Sequence, residues 1–169
     1  MKQYNNYTAD DFTFVVCAYQ ECEYLEEAIR SVKEQTISAK ILISTSTPND
    51  FIQGIADRYD IPVCVNRDGG QIKDYNFAMA LPETPLMMLM HQDEILAPAF
   101  LEKVLDALNH AKDPIIAFTN YLEMHNDEVD KKPSTMVRIK RMLLWPSLVH
   151  AWQGTWIGKR GIQLLGNPI

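Results

Sequence analysis

The chain has 169 residues, 47% hydrophobic and 22% charged, which is enough to bury a core and too apolar for a disordered protein. Lys and Arg number 16 against 22 Asp and Glu, a net charge of −6, and no long basic run stands out to supply the cationic face that displaces counterions, so no nucleic-acid partner is expected. Three cysteines fit no disulfide or metal framework, residues 1–11 are polar, and no apolar run nears the ~20 residues of a membrane span; the expected compartment is the reducing cytoplasm.

In chain order, Phe12 to Ala18 is aromatic and β-branched and predicts a buried strand. Glu21 to Glu34 follows with Leu25, Ala28, Ile29 and Val32 on one helical face. Lys40 to Thr45 predicts a second strand, and Ile52, Ile55, Ala56 and Tyr59 a second helix with Asn49 or Asp50 as its N-cap. Pro62 to Asn66 predicts a third strand, Gly69-Gly70 a turn, and Gln71 to Leu81 a helix. Leu86 to Met90 is five apolar residues in a row. Pro98 opens a helix with Leu101, Val104, Leu105 and Leu108 inward, and Ile115 to Asn120 predicts a fifth strand. Near-continuous apolar strands alternating with helices predict an α/β fold: a mostly parallel sheet with helices on both faces.

Beyond Tyr121 the pattern weakens. Glu123 to Ser134 reads as a polar loop and Ile139 to Leu144 as a short helix. With Arg138, Lys140 and Arg141 that helix is basic and amphipathic, either an interfacial membrane contact or an ordinary helix. The expected division is a ligand-binding core over residues 1–120 and an irregular segment over 121–169, within one domain.

In open parallel sheets, ligands bind beyond the carboxyl ends of the strands. The residues there are Tyr19-Gln20-Glu21, Thr45-Ser46-Thr47, Asn66-Arg67-Asp68-Gly69-Gly70 and His91-Gln92-Asp93-Glu94. The last places an acid pair directly after an apolar run. Hard divalent cations take oxygen ligands, often one or two carboxylates together with substrate phosphates, and Asp93 fits that need. The alternative is a solvated turn with Glu94 capping the next helix. Arg67 either meets a phosphate or faces solvent. Met79, Met87, Met88 and Met90 read as core filler, and His110, His125 and His150 as surface or cap residues.

Taken together these motifs resemble family 2 glycosyltransferases of the GT-A, Rossmann-like fold over nearly the whole chain. Phe14-Val15-Val16-Cys17-Ala18-Tyr19-Gln20-Glu21 is similar to that family's opening strand and turn, and Gly69-Gly70 with Asn76 to its Gly-Gly…Asn stretch. His91-Gln92-Asp93-Glu94, with Pro98 following, resembles its Asp-x-Asp-Asp motif. The resemblance implies a nucleotide-sugar donor, a glycan or lipid-linked acceptor, and inverting transfer in polysaccharide biosynthesis. It implies nucleotide contacts at Ala18, Tyr19, Gln20, Thr45, Ser46, Asp74, His91 and Gln92. It also implies Mn²⁺ or Mg²⁺ on Asp93, where the ion would stabilise the departing diphosphate. Asp74 has a place on the helix surface as its alternative.

The sequence departs from the family's pattern in three ways. Thr45-Ser46-Thr47-Pro48 stands where Asp-Asp-Gly-Ser is common, so hydroxyls replace a carboxylate that would read the base or ribose, and the case for uracil weakens. His91 replaces the motif's first acid; it either ligates Mn²⁺ or hydrogen-bonds the ribose, the second being favoured. No residue fills the general-base position. Glu123 and Asp127 are the candidates, yet both read as solvated. Leu165-Gly166-Asn167-Pro168-Ile169 resembles the lead-in to an acceptor-binding half, so the chain reads as a fragment, with Trp145, Trp152 and Trp156 packing against that half. A non-catalytic nucleotide-binding or scaffold module of the same fold is the alternative. A nucleotidyltransferase would carry a Gly-rich basic phosphate loop after the first strand, which Tyr19-Gln20-Glu21-Cys22 is not. Oligomeric state is not legible.

Overall fold

The computed structural model describes residues 2–117, 119, 121–125, 128–130, 132, 134–136 and 138–139. The chain divides between Asp113 and Pro114 into two units.

The first unit is built on a four-stranded, all-parallel sheet. Its elements in chain order are β1 (Phe12–Ala18), α1 (Leu25–Lys33), β2 (Lys40–Thr45), α2 (Asp50–Tyr59), β3 (Val63–Val65), α3 (Gln71–Ala80), β4 (Leu86–His91) and α4 (Phe100–His110). Strand order is β3-β2-β1-β4. Pairing is in register from Thr13–Lys40 to Ala18–Thr45 on one side of β1, and from Phe12–Leu86 to Cys17–His91 on the other. β1 is therefore central, and it is the most deeply buried strand: Phe14, Val15 and Val16 are wholly excluded from solvent. A strand covered on both faces must be apolar throughout, which is why Phe12 to Ala18 shows no alternation.

Crossover direction sets where the helices lie. Right-handed connections from β1 to β2 and from β2 to β3 step the same way and put α1 and α2 on one face. The connection from β3 to β4 steps back across β2 and β1, so α3 falls on the other face, in contact with β1, β2 and β4. α4 joins α1: the buried carboxamide of Gln35 donates to Ala97 O at 2.9 Å and accepts from Leu101 N at 3.0 Å. Phe100 at the start of α4 packs on Phe14 of β1, ring centroids 6.4 Å apart. The sheet thus carries helices on both faces, as expected of the α/β, GT-A-like fold.

Local chemistry sets the helix ends. Asn49 caps α2, its side chain accepting from Ile52 N at 2.9 Å, which satisfies one of the orphan donors of the first turn. Helix α1 starts at Leu25, later than the Glu21 expected from periodicity, because Gln20 sits in the left-handed region (φ 54°) and Gln20 to Tyr24 form a turn. The amino-terminal segment straps α4: Asn5 Nδ2 donates to Leu108 O and Ala111 O, and Tyr7 exchanges both backbone bonds with the Asn109 side chain. Carbonyls left open at the end of α4 are satisfied this way.

Two expectations need correction. Leu86 to Met90 forms β4, but only Met90 is fully buried, because among the described residues β4 pairs on one side alone. Ile115 to Asn120 is not a strand in its described part (Ile115, Ile116, Ala117 and Thr119). Asp113 is left-handed (φ 51°) and Pro114 has no N–H, so the approach is broken, and an apolar run becomes a strand only where an edge accepts it.

In the second unit, Glu123 to Ser134 is not a plain loop. It holds a short antiparallel ladder of β5 (Met124–His125) and β6 (Glu128–Val129), with Asp130 N donating to Glu123 O at 2.9 Å. Thr135, Met136, Arg138 and Ile139 are helical. Asp127, Lys140 to Leu144, the three tryptophans, His150 and the Leu165–Ile169 phrase lie outside the described residues. No helix among the described residues is long and apolar enough to cross a membrane.

Candidate functional site

Strand order reverses direction at β1: the chain leaves it toward β2 on one side and returns as β4 on the other. At such a switch point the loops after the two strands diverge and leave a crevice outside their carboxyl ends. Here those loops are Tyr19-Gln20-Glu21 after β1 and Gln92-Asp93-Glu94 after β4.

A belt of hydrogen bonds runs along this edge of the sheet. Gln92 Nε2 donates to Tyr19 O at 3.1 Å, and Tyr19 N donates to Gln92 Oε1 at 2.8 Å, so one carboxamide holds both backbone groups of one residue and clamps the β4 loop to the β1 loop. Gln20 N donates to Thr47 Oγ1 at 2.6 Å, tying β1 to β2. Ser46 Oγ donates to Asp74 Oδ2 at 2.8 Å, and Asn66 Nδ2 donates to Asp74 Oδ1 at 2.7 Å, so one carboxylate from α3 holds the ends of both β2 and β3. Four strand ends and one helix are joined. Gly69 (φ 59°) and Gly70 (φ 102°) make the turn into α3 in backbone regions that side chains disfavour, and Asp74 sits in the first turn of α3, where the helix dipole favours a negative charge.

At the end of β4, Glu94 folds back so that its Oε2 accepts from His91 N at 3.1 Å while Glu94 N donates to His91 O at 3.3 Å. It closes the turn after β4 and does not cap α4, which begins only at Phe100. Burial raises the Glu94 carboxyl above the usual glutamate range and the charge of Asp93 adds to this, against the lowering effect of the His91 N–H and ring. The His91 ring meets Tyr75 of α3 edge-on at 5.6 Å. Behind them, burial together with the charges of Asp74 and Glu94 pushes the Cys17 thiol up to about 12. It stays a neutral thiol, a packing group and not a nucleophile.

Asp93 differs from all of these. Its side chain is exposed and has no hydrogen bond or ion pair among the described residues. No group of three or more His, Cys, Asp or Glu among the described residues is arranged to hold a metal. Asp93 is therefore a single free carboxylate, the donor set that suits an ion shared with substrate phosphates and water rather than one caged by protein.

The other residues singled out from sequence fall in place as follows. Ala18 is buried at the end of β1 and offers only backbone. Tyr19 is 54% exposed, its ring free at the switch point. Thr45 is 2% exposed and its hydroxyl accepts from Thr47 N at 3.0 Å, so it shapes the turn from inside. Ser46 is half-buried with its proton committed to Asp74. Asp74 lies within the belt, not on an outer helix surface. Arg67 is exposed, and the His110 ring bonds Asp106 O at 2.8 Å in the last turn of α4, whose cap is Ala111. Glu123 is half-buried and its carbonyl anchors the β5–β6 ladder. Asn66, Thr47 and Tyr75 carry no separate role in the sequence; for Asn66 and Thr47 a polar type next to a strand end was the available signal, and for Tyr75, inside α3, there was none. A hollow lined by Val32, Lys33, Ile41, Asp60 and Ile61 lies at the start of β2, away from this edge.

Compared with known proteins, residues 13–163 match the model of the family described as "Glycosyl transferase family 2". No curated protein matches the chain.

Proposed function

Because the chain belongs to glycosyl transferase family 2, we propose that it binds a nucleoside-diphosphate sugar in the crevice between the β1 and β4 loops. From there it would transfer the sugar to a hydroxyl acceptor. The observation that carries this reading is Asp93: an exposed carboxylate, free of protein partners, at the carboxyl end of β4 beside the topological switch.

In this reading Asp93 holds Mn²⁺ or Mg²⁺ through one carboxylate. Bound there, the ion would supply positive charge against the leaving diphosphate. The chain's own residues do the positioning. Tyr19 offers an exposed ring beside the nucleoside, and Gln92 keeps the β1 and β4 loops at a fixed separation through the Tyr19 peptide. His91, oriented by Tyr75 and by the turn that Glu94 closes, faces the ribose. Ala18, Gln20, Thr45 and Thr47 shape the floor through backbone and hydroxyl bonds. Inversion at the anomeric carbon, a glycan or lipid-linked acceptor, and a peripheral membrane contact through the basic segment at Arg138 belong to the same proposal.

Isothermal titration of the whole chain with nucleoside diphosphates, with and without Mn²⁺, tests it. Metal-dependent binding lost in Asp93→Asn supports the donor site. Binding indifferent to both metal and that substitution leaves a non-catalytic nucleotide module instead.

A further inference from the structure

Between Asp93 and the start of α4 at Phe100 the chain forms neither helix nor strand. It is fastened along α1 by side chains that the core buries. Ser31, 8% exposed, accepts from Leu96 N at 3.1 Å while donating to Ala28 O at 2.7 Å. Gln35, 7% exposed, donates from Nε2 to Ser31 O at 3.0 Å and to Ala97 O at 2.9 Å. Its Oε1 accepts from Leu101 N at 3.0 Å, and Thr36 N donates to Pro98 O at 2.8 Å. Ser31 O is a carbonyl left open where α1 ends at Lys33, so one carboxamide closes the helix end and holds the loop together with it.

Stability alone does not call for such groups here. A buried hydroxyl or carboxamide loses its water, and its bonds do little more than offset that loss. Apolar side chains of the same size would pack α1 against α4 without that penalty. Directional bonds add a single geometry, because a satisfied buried network fixes one register where apolar contacts allow several. Asp93 is the residue that depends on this register. Its carboxylate has no partner among the described residues, so the backbone on either side sets its place. On one side that backbone is held by the β4 pairing of His91 and the turn that Glu94 closes. On the other the next tie along the chain is Leu96 N, and its holder is Ser31.

We propose that Ser31 and Gln35 are positioning residues for the metal and diphosphate site, acting on Asp93 through the 94–97 backbone. The inference rests on the donor-binding reading above. It adds two helix residues that lie 62 to 66 positions earlier in sequence than the loop atoms they hold. Neither side chain need meet the ligand.

The experiment is titration calorimetry of the whole chain with uridine, cytidine, guanosine and adenosine diphosphates, each with and without Mn²⁺. The quantity read is the metal factor, the ratio of the two dissociation constants for the diphosphate that wild type binds best. A general loss of stability weakens both constants alike and leaves the factor unchanged. A misplaced Asp93 lowers it. Ser31→Ala, which removes only the hydroxyl, and Gln35→Met, which keeps the side-chain length, are expected to reduce the factor about tenfold. Asn5→Ala, which loosens the far end of α4, is expected to leave it at the wild-type value. In an Asp93→Asn background Ser31→Ala is expected to change nothing further, since its effect passes through Asp93. Amide exchange at Leu96 in the metal-free chain, faster in Ser31→Ala, reports the tie directly. A metal factor unchanged in Ser31→Ala, or lowered equally in Asn5→Ala, overturns the inference and leaves the donor site standing. Should Gln35→Met fail to fold, Ser31→Ala decides alone. Wild type that binds no nucleoside diphosphate, or binds without regard to Mn²⁺, overturns the donor-binding reading and this inference with it.

Discussion

Replacing Gln92 with alanine tests the clamp on which the crevice depends. The wild-type carboxamide makes two bonds to the backbone N–H and carbonyl of one residue, Tyr19, at 2.8 and 3.1 Å, across 73 residues of sequence. A net hydrogen bond contributes about 0.5–1.5 kcal/mol, and the high end applies only where the stranded partner is buried. Both bonds lie in an exposed setting, so water can replace each, and the pair is worth about 1–2 kcal/mol. In a chain of this size that corresponds to a melting temperature lower by roughly 2–8 °C. Gln92→Glu is the more discriminating variant: it keeps the acceptor for Tyr19 N but turns a second oxygen on the Tyr19 carbonyl, and is expected to melt below the alanine variant. Urea titration followed by circular dichroism gives the stability. Amide exchange at Tyr19 reports the N–H bond itself, with faster exchange in the alanine variant, where its acceptor is gone. Unchanged midpoints together with unchanged Tyr19 exchange would refute the clamp.

Further predictions concern single groups. Glu94 keeps its proton after the unfolded chain has lost its own, because its folded pKa is raised; the native state therefore loses ground as pH rises from about 4.3 through the folded value. Glu94→Gln retains an acceptor for His91 N and should match wild type near pH 4 but melt higher near pH 7; a wild type that gains on the variant with rising pH contradicts this. Cys17, pushed from 9.0 to about 12, has about a thousandfold less thiolate at neutral pH. Mapping of iodoacetamide adducts should find it the last of the three cysteines modified in the native chain, with the lag gone in urea. Asn49→Ala removes the cap of α2 and should cost about 1 kcal/mol, read as a lower urea midpoint with no loss of nucleotide binding.

Much of the first unit was legible because its signals are local. Periodicity found α1, α2 and α4, the glycine turn marked the start of α3, and Asn49 was readable as a cap because that role depends on one side chain and the next three residues. Asp93 was legible as well, since an apolar strand ending in acids puts a carboxylate at a sheet edge whatever the rest of the fold does. What escaped depends on pairing at a distance. Gln92 looked like a ligand contact and spends its carboxamide on Tyr19. Asp74 could have been a surface acid until the β2 and β3 ends were brought to it. Thr45 offered a hydroxyl in the sequence, yet that hydroxyl is folded inward onto Thr47 N. The described part of the 115–120 run missed for the opposite reason: its composition suits a strand, but a strand needs a neighbour, which composition does not report.

The order of the sheet also bears on how the chain is made. β1 leaves the ribosome ahead of the other strands of its sheet, yet one of its two edges finds a partner only when Leu86 to His91 have been synthesised. Until then a run of seven nearly all-apolar residues presents unpaired backbone along one side, which is a template for association with other chains. Translation that stalls between Asp60 and Pro85 would leave nascent chains that are sticky because their innermost strand is half finished, and a chaperone that shields extended apolar segments has its natural target at Phe12 to Ala18.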